Sequence, residues 1–121
     1  MFVSIFVDLS LALICFVANN THQCYPVLVG NNTPTGKFQT ILRITEQNGY
    51  GGDIIQFNET DKAVYAIHRV WTLTPAQRRE QRLQSNNIQQ RVITDGCINV
   101  SPEVYEKIKD CCLNTTLVIK Q

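Results

Sequence analysis

A chain of 121 residues is long enough for one domain with a buried core and too short for two ordinary ones, so residues 1–121 are read as one domain with one site. Charged residues make up 17% and hydrophobic residues 44%, which excludes a disordered tail. Eleven Lys and Arg against ten Asp and Glu leave a net charge of +1, which excludes the broad positive footprint of a non-specific nucleic-acid binder.

The opening Met1 to Ala18, MFVSIFVDLSLALICFVA, is apolar but reads poorly as an export signal: no Lys or Arg precedes Lys37, and Asp8 interrupts the run. Asp8 would also sit near mid-membrane in a spanning helix. The Val, Ile and Phe content with a polar break at Asp8-Leu9-Ser10 predicts two strands meeting at a bend. The chain from Ile5 to Ile44 continues as short β-branched or aromatic runs separated by Asn/Thr/Gly/Pro punctuation, a β-rich half. Gln47 to Asp53, QNGYGGD, is too rich in Gly for a regular element and reads as a loop before strands at Ile54 to Phe57 and Ala63 to His68.

Thr74-Pro75-Ala76-Gln77 has the grammar of a capping box and predicts a helix from Pro75 to about Gln84. A second start, Ser101-Pro102-Glu103, opens a helix to about Cys112 with Val104 and Ile108 on its apolar stripe. Leu117 to Ile119 reads as a last strand.

Five cysteines leave at least one thiol unpaired, and no CxxC spacing or Cys/His cluster suggests a metal; no cofactor is expected. Cys97 follows Gly96 four residues before a helix start, in Thr94-Asp95-Gly96-Cys97-Ile98-Asn99-Val100. Gly before a thiol allows an unusual turn and close substrate approach, while backbone N–H groups in that turn can face a developing oxyanion. A Cys after a Gly is also a common small core residue. His68 closes an apolar run at a strand end, where an imidazole can reach a neighbouring element and serve as base, or simply be a satisfied histidine. His22 has no supporting pattern.

Taken together, Tyr25-Pro26-Val27-Leu28-Val29-Gly30, Thr33-Pro34-Thr35-Gly36-Lys37-Phe38, Ile67-His68 and Thr94 to Val100 resemble, in order, the motifs of the L,D-transpeptidase (YkuD-like) catalytic domain. Ile5 to Ser10 and Thr116 to Ile119 resemble that domain's first and last strands, so the likeness covers nearly the whole chain. It implies a mainly β fold, a mixed β-sandwich with one or two short helices and a lid. It also implies a Cys97 nucleophile, His68 as base, the Arg69 backbone carbonyl orienting the imidazole, and Gly96 and Cys97 backbone N–H groups as the oxyanion hole. The implied substrates are peptidoglycan stem peptides or muropeptides, cleaved between an L-centred diamino acid and D-Ala through a Cys thioester.

Two departures stand out. Asp95 occupies the position where many members have His before Gly-Cys, and its charge is expected to make the thiol less acidic. The interval between His68 and Cys97 is long and carries five Arg against Glu80. It is either a solvated face or a lid in which the guanidinium groups of Arg78, Arg82 and Arg91 recognise the carboxylates of a stem peptide; Asp95 and Asn99, beside Cys97, are expected to contact the substrate as well. With a strand beginning almost at Met1 and free thiols at Cys15, Cys24, Cys111 and Cys112, the expectation is a cytoplasmic chain releasing D-Ala to water as an L,D-carboxypeptidase, without membrane or nucleic-acid partners. The alternatives are an envelope L,D-transpeptidase, an inactive stem-peptide binding module and a thiol hydrolase of unrelated fold. Oligomeric state is left open.

Overall fold

The computed structural model describes residues 3–121. Met1 and Phe2, the start of the predicted first strand, lie outside them.

Two sheets enclose the core. The first has five strands in the order β3-β2-β1-β9-β4, from β1 (Val3–Asp8), β2 (Leu13–Ala18), β3 (Thr21–Pro26), β4 (Gly36–Gln39) and β9 (Thr116–Lys120). The second runs β5-β6-β7-β8, from β5 (Ile41–Ile44), β6 (Asp53–Glu59), β7 (Val64–Arg69) and β8 (Ile98–Val100). Both are mixed, since β1 pairs in parallel with β9 and β7 with β8 while the other pairs are antiparallel.

Alternation builds the core. Ile5 and Val7 of β1 and Ile14, Phe16 and Ala18 of β2 are buried, and they meet Ile55, Phe57, Ile67, Ile98 and Val100 of the second sheet in one cluster. Full burial of each of the Ile, Val and Phe side chains contributes about 1.5–3 kcal/mol. Asp8, which argues against a membrane span, has a local use: its carboxylate accepts from Ser10 Oγ at 2.6 Å and Leu11 N at 3.1 Å, closing the bend between β1 and β2. No described helix is long and apolar enough to cross a membrane.

Helix α2 (Pro102–Cys111) starts as expected, with Ser101 Oγ accepting from Val104 N at 3.2 Å and Pro102 in the first turn. It buries Val104, Tyr105 and Ile108 and packs on β2 and β7, one strand from each sheet.

The other predicted helix is corrected. Thr74 makes no capping bond; its hydroxyl accepts from Trp71 Nε1 at 3.2 Å instead. A 3-10 turn at Pro75–Gln77 ends at Arg78, which takes a left-handed φ of +52°, and the short helix α1 (Arg79–Leu83) begins afresh. A second 3-10 turn, Ile88–Arg91, leads back toward β8. Two arginines shape this segment between β7 and β8: Arg82 Nε donates to Gln77 O at 2.8 Å, and Arg91 donates to Ser85 O at 2.6 Å and Leu11 O at 2.8 Å.

The expectation of four further free thiols is also corrected. Cys15 and Cys24, cross-strand partners in the β2–β3 register, form a disulfide, and Cys111 is bonded to Cys112. Cys97 is the one free cysteine.

Candidate active site

Strand pairing accounts for the site. In the parallel β7–β8 ladder His68 stands opposite Asn99, so their side chains leave the same face of the sheet. Cys97, two residues before Asn99, borders the same cavity as His68. Gly96 makes this approach possible. Its φ is +131°, and a Cβ there would come within 2.6 Å of the Tyr65 ring, so only glycine fits between strand and ring. Gly30 plays a similar part from the other side, where a Cβ would collide with the Thr94 carbonyl. The cavity has a volume of about 420 Å³ and is lined by Tyr50, Tyr65, His68, Trp71, Arg79, Asp95 and Cys97 among others.

His68 is held on three sides. Its Nδ1 lies 2.7 Å from Arg69 O, its Nε2 lies 3.3 Å from Asn99 Nδ2, and the Tyr50 ring meets it edge-on at 4.8 Å between centroids. The tautomer follows from the neighbours. Arg69 O can only accept, so Nδ1 carries the proton. Asn99 Oδ1 accepts from Trp71 N at 3.3 Å and Arg79 Nη1 at 3.0 Å, which turns Nδ2 toward His68 and makes Nε2 the acceptor. The imidazole is therefore neutral with a lone pair on Nε2. Burial agrees: His68 is 3% exposed, and desolvation, despite the Arg69 hydrogen bond, lowers its pKa to about 4.

The thiol is neutral too. Burial pushes Cys97 up from the ordinary thiol range; the Ala66 backbone hydrogen bond and Arg79 pull it back, and Asp95 adds to the rise. Asp95 thus acts in the direction expected from sequence, but burial is the larger cause. With the thiol raised and the imidazole lowered, the resting pair is thiol and imidazole rather than thiolate and imidazolium.

The expected site residues separate into groups. Cys97, His68 and Asp95 border the cavity, and the Arg69 carbonyl orients His68. Gly96 differs from expectation: its N–H donates to Thr94 Oγ1 at 3.2 Å, because the positive φ folds the turn back on that hydroxyl, so this donor is engaged rather than facing the cavity. Asn99 is fully buried and bonded to His68 and Arg79, which makes it a positioning residue rather than a substrate contact. Arg78 and Arg82 border a separate depression, and the Arg91 guanidinium is buried against Ser85 and Leu11, so none of the three reaches the Cys97 cavity. The left-handed Arg78 rotates the start of α1 and turns Arg79 inward instead. Its Nε donates to Gln77 Oε1 at 2.8 Å and its Nη1 to Asn99. Nothing in the run of arginines between His68 and Cys97 separates Arg79 from its neighbours, since its direction depends on one backbone φ. Tyr50 was legible only as part of a glycine-rich loop near a site.

A family model described as the L,D-transpeptidase catalytic domain matches residues 3–119. No curated protein matches the chain. Among solved structures, L,D-transpeptidase 3 from Mycobacterium tuberculosis superposes with a TM-score of 0.68 at 10% identity, covering 98% of this chain and 61% of that chain. The same enzyme in complex with a faropenem-derived adduct gives 0.67 at 12% identity, with 98% and 60% covered. A cysteine-to-serine mutant of an Enterococcus faecium L,D-transpeptidase gives 0.70 at 15%, with 99% and 50% covered. The chain thus spans about half to three fifths of the length of these structures, and at such identities the likeness is one of fold.

Proposed function

Because the chain belongs to the L,D-transpeptidase catalytic domain family, we propose that it performs cysteine acyl transfer on peptidoglycan stem peptides, with Cys97 as nucleophile and His68 as base. The observation that carries this reading is the free Cys97 thiol bordering one cavity with a neutral His68 whose Nδ1 is tied to Arg69 O.

The proposed chemistry runs in the following order, starting from the neutral thiol and imidazole. As Cys97 Sγ attacks the carbonyl between the diamino acid and D-Ala, the Asn99 amide gives up its contact with His68 Nε2 and the thiol proton passes to that nitrogen, the one not tied to the Arg69 carbonyl. The Arg69 carbonyl stabilises the imidazolium formed in that step. Collapse of the tetrahedral intermediate breaks the C–N bond, His68 returns the proton to the D-Ala amine, and a thioester remains on Cys97. An acceptor amine or water then attacks the thioester, gives its proton to His68, and releases the thiol. Starting from a neutral pair, the thiol is deprotonated during attack.

The choice of acceptor follows the compartment. The two disulfides remove the free-thiol support for a cytoplasmic chain and favour an oxidising one, where amines of neighbouring stems compete with water. We therefore place envelope transpeptidation ahead of the hydrolytic carboxypeptidase reading. Intact mass after exposure to faropenem, and D-Ala release from L-Ala-D-Glu-meso-diaminopimelate-D-Ala with and without an acceptor amine, test both levels. Adduct and release that vanish in Cys97→Ala support acyl transfer, and an amine-linked product that outpaces hydrolysis supports transpeptidation. No adduct and no release return the chain to a stem-peptide binding module.

A further inference from the structure

The cavity holds a cation without a counter-ion in contact. Among the described residues that line it, the side chains of formal charge are Arg79 and Asp95, His68 being neutral. Arg79 forms no salt bridge with any described residue. Its plane is fixed by two uncharged acceptors, Gln77 Oε1 at 2.8 Å on Nε and Asn99 Oδ1 at 3.0 Å on Nη1, and Nη2 has no hydrogen-bond partner among the described residues. A guanidinium stays charged at any working pH, and half of its donor fork is already oriented. The remaining donors, open to the cavity, are complementary to a carboxylate. Asp95, exposed at the rim, would otherwise repel an anionic peptide from this opening.

We propose that Arg79 is a specificity-determining residue that takes one carboxylate of the acyl-donor peptide at Nη2, beside the Cys97 thiol. The inference rests on the stem-peptide reading above. It moves carboxylate recognition from Arg78, Arg82 and Arg91, whose guanidinium groups lie elsewhere, to the one arginine that faces the cavity. Because Arg79 also bonds Asn99, which in turn contacts His68, a carboxylate on Arg79 is registered against the base through two hydrogen bonds.

The stem tetrapeptide carries three carboxylates, on the D-Glu, on the D-centre of diaminopimelate and on the terminal D-Ala, and the test separates them. The Cys97→Ala chain, which cannot form the thioester, is titrated calorimetrically with the free tetrapeptide and with three peptides each amidated at one carboxylate. One amidation should weaken binding about 10-fold or more, the size of a charge-assisted hydrogen bond, and the other two should change it little. In Cys97→Ala/Arg79→Gln that selectivity should fall below about 2-fold, and Cys97→Ala/Arg79→Lys should restore part of it. Equal weakening of all four peptides by Arg79→Gln, an unchanged selectivity, or no binding of any peptide would overturn the proposal. D-Ala release by the wild-type chain is measured separately: its absence with the selectivity intact defeats acyl transfer and leaves Arg79 as a carboxylate reader.

Discussion

Arg69 Nη1 lies 3.1 Å from Asp53 Oδ1, and the same guanidinium nitrogen donates to Tyr50 O at 3.0 Å. This contact ties the glycine-rich loop to the end of β7, where the Arg69 carbonyl holds His68 and the Tyr50 ring packs on it. Asp53 also accepts from Tyr105 Oη at 2.7 Å and Lys109 Nζ at 2.8 Å, so one carboxylate joins β6, β7 and α2 behind the base. Burial alone would raise the Asp53 carboxyl; hydrogen bonds from Lys109, Tyr105 and Arg69 outweigh it and hold it below its usual value.

Asp53→Asn should therefore destabilise the chain, since it leaves Arg69 with Glu106 as its only carboxylate partner among the described residues and removes the acceptor that joins Arg69, Tyr105 and Lys109. Urea unfolding measures this. At a temperature where the variant stays folded, kcat for D-Ala release should fall more than KM rises, because the base loses its support while the Arg79 side of the cavity is untouched. A variant that loses stability with kcat unchanged would show that Asp53 is structural only.

Acid should weaken the fold in two separate windows. His68 is depressed from about 6.5 in the unfolded chain to about 4 in the folded one, so its contribution is complete above about pH 6.5 and is lost as pH falls toward 4, about 3 kcal/mol in all. Asp53, also depressed, contributes above about pH 3.9 and loses that stability only at lower pH. Unfolding free energies between pH 7 and 4 should decline in the wild type and stay nearly flat in His68→Gln.

Asn99→Asp should raise the His68 pKa, since a carboxylate beside Nε2 favours the imidazolium. Histidine ring nitrogen shifts followed by NMR would show the titration moving up from about 4, with D-Ala release falling because the base is already protonated. An unmoved titration would contradict the Asn99–His68 contact.

The Cys97 thiol should answer to two charges with opposite signs. Asp95→Asn moves half-maximal alkylation to lower pH and Arg79→Gln moves it to higher pH, while both variants remain above an ordinary thiol because burial persists. Iodoacetamide labelling rates between pH 6 and 11, read by mass, decide this.

Without reductant, unfolded protein should take up one alkyl group, at Cys97, and after reduction five. The Cys15–Cys24 bridge closes a short loop, and its removal in a Cys15→Ser/Cys24→Ser variant should cost about 2–3 kcal/mol of stability. Two or more labelled cysteines in the unreduced chain would restore the free-thiol expectation.

The sequence by itself marked the β-rich first half, the strands at Ile54 to Phe57, Ala63 to His68 and Leu117 to Ile119, and helix α2, because β-branched alternation and Ser101-Pro102 at a helix start are local signals; it singled out Cys97 and His68 through an order of motifs ending in Gly96-Cys97, and it did not show the short strand β8. Tertiary structure decided what those residues face. The capping pattern at Thr74 yields to a bond from Trp71, a residue three positions away whose ring packs on Tyr50 of another loop. Four arginines of similar sequence setting diverge because one left-handed residue, Arg78, sends Arg79 into the cavity and leaves Arg82 and Arg91 bonded to backbone carbonyls of the segment between β7 and β8 and of the β1–β2 bend. Asn99 is brought against His68 only through the β7–β8 register. The charge states of Cys97 and His68 follow from burial, which no composition or spacing can state, because desolvation depends on which distant side chains close around a group.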